Sequence, residues 1–80
     1  MNAEQIKQLI AVGLACEHLE VDGDGHHWFA VIVAAAFEGK ARVARHQLVY
    51  ATLQSQMQSN ALHALSMKTL TPAEWAATRA

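Results

Sequence analysis

The first sixteen positions carry Ile6, Leu9, Ile10 and Gly13 at spacings of three and four, with Glu4, Gln5, Lys7 and Gln8 between them. That period predicts a helix over Asn2–Cys16, with Asn2 as N-cap and Glu4 in the first turn, where the helix dipole favours negative charge. From Leu9 to Cys16 the pattern is apolar nearly all round, which predicts packing on more than one side. His18–Val21 then alternates as a short strand. Asp22-Gly23-Asp24-Gly25 is a turn whose glycines are free to take positive φ. His26–Ala35, rich in aromatic and β-branched residues, reads as the second strand of a hairpin. Trp28, Ala30, Ile32 and Ala34 share one of its faces; His27, Phe29, Val31 and Val33 share the other. Both faces are apolar, so the second is either a patch for a partner or the plain edge of a small sheet.

Phe37-Glu38-Gly39-Lys40 interrupts the strand and leads to a helix from about Ala41 to Met57. Val43, His46, Tyr50, Leu53 and Met57 form its expected buried stripe, which makes His46 a core histidine bonded to a neighbour. Ser59-Asn60 ends that helix, and Ala61–Leu70 alternates again as a third strand, with His63, Leu65 and Met67 on one parity. Thr71, Pro72 and Glu74 then spell a helix start: N-cap, first helical position and capping-box return bond. Trp75 is expected to anchor this last helix. The order α-β-β-α-β-α predicts an α+β fold, a small three-stranded mixed sheet with helices packed on one face, in a single domain over residues 1–80.

Composition narrows the picture. Of 80 residues 52% are hydrophobic, but sixteen are alanine and bury little area each. One cysteine excludes an intrachain disulfide framework and points to a reducing, cytoplasmic setting. No apolar run reaches the roughly 18–20 residues that span a bilayer, so a soluble chain without membrane association is expected. A net charge of −1 argues against binding nucleic acid through bulk electrostatics alone. Protonating all five histidines would take it from −1 to +4.

Candidate chemistry is sparse. Asp22-Gly23-Asp24-Gly25 is no calcium loop, because His27 and Val33 stand where an EF-hand needs its glycine and its last glutamate. No nucleophile motif or phosphate-binding glycine loop occurs, and Cys16 lies in the most apolar segment as a small buried hydrophobe, so a non-enzyme is expected. His26 and His27 stand where a turn meets a strand, and His63 starts another strand of the same sheet. Imidazole is a good ligand for iron and zinc, yet two ligands cannot close a four-coordinate site, which suits a metal centre completed by a second protein. Lys40, Arg42 and Arg45 cluster about the start of the long helix, either as a phosphate contact or as a solvated face.

The runs GDGHHWFAVIVAAAFEGK, RVARHQLVYATL and HALSMKTLTPAEW, in that order, resemble the BolA family, and within it the short, acid-stress-linked bacterial branch. The likeness covers about Glu17 to Trp75. It implies a fold similar to class II KH domains and an adaptor that binds a monothiol glutaredoxin. It also implies a 2Fe–2S cluster shared with that partner and glutathione, and none in the isolated chain. His63 corresponds to the family's ligand in the C-terminal half; the loop ligand would be His27 or His26, with His27 favoured and His46 as support. A homodimer is conceivable in the partner's absence. The alternative is a KH-like nucleic-acid-binding transcription regulator using Lys40, Arg42 and Arg45. Against it, the Gly-x-x-Gly loop of KH domains is reduced here to Phe37-Glu38-Gly39-Lys40, with one glycine. The family's commonly polar position 29 is Phe.

Overall fold

The computed structural model describes residues 2–54 and 65–79. Helix α1 (Ala3–Gly13) starts on the expected cap: Asn2 Oδ1 accepts from Gln5 N, and Gln5 Oε1 accepts from Asn2 N, each at 2.9 Å. These bonds satisfy donors that the first turn leaves orphaned. The helix stops short of Cys16 because Leu14 turns extended (φ −148°) while its N–H still reaches Ile10 O. It packs against both β1 and α2, but its outward side stays open. Ile6 and Ile10 are buried, whereas Val12 is 90% exposed, so the apolar run over Leu9–Cys16 overstated its contacts.

Strands β1 (His18–Gly23) and β2 (Trp28–Val33) pair antiparallel, from His18 opposite Val33 to Gly23 opposite Trp28. The second strand is shorter than its pattern because Asp24 Oδ1 accepts from the N–H groups of both His26 and His27 at 2.8 Å, holding them in the turn. Only Gly25 of the two turn glycines takes positive φ; Gly23 ends β1. A 3-10 turn (Ala35–Phe37) then leads to α2 (Arg42–Thr52). Strand β3 (Leu65–Leu70) lies parallel to β2, Trp28 opposite Leu65, and completes the sheet in the order β1-β2-β3. A parallel neighbour requires a crossover, and α2 lies on it.

Helices α1 and α2 cover one face, where Ile6, Ile10, Val49 and Leu53 meet Trp28, Ala30, Ile32 and Phe37. Each such large side chain contributes about 1.5–3 kcal/mol by leaving water. The inward stripe of α2 differs from the expected one at its start, while Tyr50 and Leu53 pack on the core as expected. Val43 is 69% exposed and His46 half-buried, while Val49 and Leu53 face the core. Met57 lies outside the described residues. Arg45 stands one turn before Val49 on that inward face, and its charge disguised the true stripe.

Helix α3 (Pro72–Arg79) begins on the expected capping box: Thr71 N donates to Glu74 Oε1 at 2.8 Å and Glu74 N to Thr71 Oγ1 at 3.1 Å. It crosses the far end of the sheet. Trp75 stacks on His18 with ring centroids 4.5 Å apart, and His18 has the parity turned away from α1 and α2. Val33, on that same side, is fully buried, whereas Phe29 at the other end is 49% exposed. The α-β-β-α-β-α order and the three-stranded mixed sheet are as expected; α3 refines the layering.

Candidate functional site

Two regions gather the chemistry. The first is the rim where the hairpin turn enters β2. Asp24 builds it: two backbone N–H donors, from His27 and then His26, pull its carboxyl below the usual range. With their backbones pinned, His26 and His27 both project from an exposed turn. The His27 side chain is 80% exposed, its Nδ1 3.9 Å from Asp24 Oδ2. It borders a depression of about 310 Å³ shared with Asp22, Trp28, Phe29 and Ser66. Ser66 belongs to β3, so His27, rather than His26, faces the strand that His63 precedes in the chain. His63 itself lies outside the described residues. Among the described residues no three His, Cys, Asp or Glu side chains converge as a metal group. A single exposed imidazole, on a turn whose backbone Asp24 pins, fits one ligand position of a shared centre.

The second region lies where the start of α2 meets β3. Arg45 is not available there as the sequence suggested. Its side chain is 14% exposed and spans Lys40 O at 2.8 Å, Thr69 O at 3.2 Å and both carboxylate oxygens of Glu74. The guanidinium also stands 6.0 Å from the Phe37 ring centroid. Hydrogen bonding from Arg45, then from the Thr71 N–H, holds the Glu74 carboxyl down at about 2. This arginine is a structural tie between α2, β3 and α3. Lys40 and Arg42 remain exposed beside it.

Two other residues change standing. His46 is half-buried rather than in the core, and borders the same region beside Arg42 and Arg45. Cys16 is half-buried beyond the end of α1; its Sγ donates to Leu14 O at 3.3 Å, and burial raises the thiol above its ordinary pKa. A raised thiol is a poor nucleophile. Sequence reasoning missed Lys68, which β3 delivers to the basic cleft, and Ser66, which β3 delivers to the histidine rim. The alternation of β3 signalled their shared parity, but not the neighbours across the sheet.

Comparison with known proteins agrees with this architecture. Residues 11–74 match the family model described as BolA-like protein. The chain is 37% identical over 79 residues to the acid stress protein IbaG of Escherichia coli K12, covering 99% of this chain and 94% of that one. Among solved structures, a BolA homologue from Coxiella burnetii superposes with a TM-score of 0.83 at 45% identity, covering 95% of this chain and 97% of the other. The BolA domain of SufE1 from Arabidopsis thaliana gives 0.79 at 36% identity, over 90% and 93% of the two chains.

Proposed function

The chain belongs to the BolA-like family, and from that premise we propose that it is an adaptor, not an enzyme, that pairs with a monothiol glutaredoxin and shares a 2Fe–2S cluster. Its ligands in this reading are His27, at the hairpin rim, and His63. The observation that carries it is the exposed His27 imidazole, on a backbone pinned by Asp24 and bordering a depression shared with β3. His63 precedes Leu65 by two residues, and two residues of chain reach at most about 7 Å, so connectivity ties it to the start of β3. Leu65 pairs with Trp28, the residue after His27. The half-exposed Phe29 beside the rim supplies apolar contact for a partner.

Imidazole in place of thiolate on one iron lowers the negative charge of the cluster and raises its potential. Imidazole binds iron only when neutral, so acidification would loosen this side of the site while leaving thiolates of the partner less affected. That coupling is compatible with a role in iron–sulfur handling or acid stress.

The test is to reconstitute a monothiol glutaredoxin cluster with glutathione, add this protein, and follow visible absorption and circular dichroism. The expected result is a new spectrum that His63→Ala abolishes and His27→Ala alters more than His26→Ala. A spectrum unchanged on addition, or the same with His63→Ala, would overturn the reading.

A further inference from the structure

Four of the six Lys and Arg residues in the chain, Lys40, Arg42, Arg45 and Lys68, line one cleft of about 630 Å³ between the start of α2, the outer edge of β3 and α3. They come from separate stretches of sequence, and only the parallel placement of β3 brings Lys68 to the others. Glu74 is the one acid on the cleft wall among the described residues, and Arg45 already neutralises it. Among the described residues the side chains of Lys40, Arg42 and Lys68 make no hydrogen bond or ion pair. All three are exposed, so their charges face the solvent-filled cleft.

The backbone adds to the same field. Ala41 caps α2 without a side-chain acceptor, and the first turn holds no acid. Its leading N–H groups and the positive end of the helix dipole therefore go unanswered beside the cations. His46, on the cleft wall one turn into α2, offers a further ring nitrogen.

We propose that this cleft binds the phosphate of a small phosphate monoester, with Arg42 and Lys40 on its oxygens, the first-turn N–H groups of α2 behind them, and Lys68, whose parity is that of the opposite face, reaching round the open edge of β3. A guanidinium matches two phosphate oxygens at once, and ammonium groups complete the charge of a dianion. A compact dianion fits better than a nucleic-acid backbone. The remaining cations, Lys7 and Arg79, do not line the cleft, and the net charge is −1, so no basic track leads away along which successive phosphates would lie. The volume lies in the range of small-ligand sites, about 300–1,000 Å³. The site is independent of the histidine rim.

The test is amide chemical-shift titration of the full chain, at low salt, with inorganic phosphate, uridine 5′-monophosphate, and hexathymidylate lacking a terminal phosphate. Saturable shifts at Arg42, Val43 and Lys68 are expected with phosphate and with the nucleotide. Arg42→Gln and Lys68→Gln should each weaken binding about five- to tenfold, the worth of one exposed charge-assisted contact, while Lys7→Gln leaves it unchanged. Shifts that do not saturate, or that persist equally in Arg42→Gln and Lys68→Gln, would overturn the proposal. Tighter binding of hexathymidylate than of the monophosphate would overturn it as well, by giving the cleft to nucleic acid.

Discussion

Arg45 is the side chain on which α2, β3 and α3 converge, and its sequence context disguised it. A charge in a helical pattern reads as solvent-facing, so the expected stripe of Val43, His46, Tyr50, Leu53 and Met57 passes Arg45 by, and only Tyr50 and Leu53 of its described members pack on the core. The guanidinium is tolerated inside because its donors meet two carbonyls and a carboxylate, which compensates its desolvation. Arg45→Met should cost about 1–3 kcal/mol in urea unfolding, and Arg45→Lys should recover only part, since an ammonium cannot span acceptors arranged for a planar fork. Full recovery by lysine would show that charge alone matters. Gly23 carries a second constraint at this scale. A Cβ there would overlap the Trp28 ring across the ladder and the His27 carbonyl oxygen. Gly23→Ala should therefore destabilise by about 1–3 kcal/mol through forced repacking, read as a lower urea midpoint; an unchanged midpoint would mean that both the ring and the turn backbone yield freely.

At the scale of elements, α3 was the most legible part and yields the clearest pH dependence. Its capping box needs only Thr71 and Glu74 at the right spacing, and both bonds formed. Thr71→Ala should cost about 1 kcal/mol. What its sequence did not show is that Glu74 serves twice, capping its own helix and holding Arg45. The carboxyl is depressed from 4.5 to about 2 in the folded chain, so its stabilising effect is complete above about 4.5 and is lost as pH falls toward 2. Urea unfolding at pH 7, 4 and 2.5 should thus show wild type losing stability across that interval with a steeper slope than Glu74→Gln. Parallel slopes would place the acid sensitivity elsewhere. The boundaries of α1 and β2 were less legible, because apolar residues continue past points where Leu14 and the Asp24 turn redirect the backbone.

For the whole molecule, the sheet separates two kinds of surface. Its α1–α2 face is closed by core packing, while on the other, among the described residues, α3 covers one end and Phe29 near His27 is half-exposed. Phe29→Ser should leave stability within about 0.5 kcal/mol, as surface changes usually do, while weakening the proposed pairing with a monothiol glutaredoxin in calorimetry; unaltered affinity would remove this face from the proposed interface. The order of elements, the Asn2 cap, the Thr71–Glu74 capping box and the hairpin were determined by the sequence alone, because caps, turns and hydrophobic periods are set by residues within a few positions of one another. The ion pair of Arg45 with Glu74, 29 positions away, was decided only by the tertiary structure, as was the arrival of Lys68 beside Lys40 and Arg42. Both depend on β3 lying parallel to β2 after a crossover, and a register formed across such a connection leaves no local spacing to read.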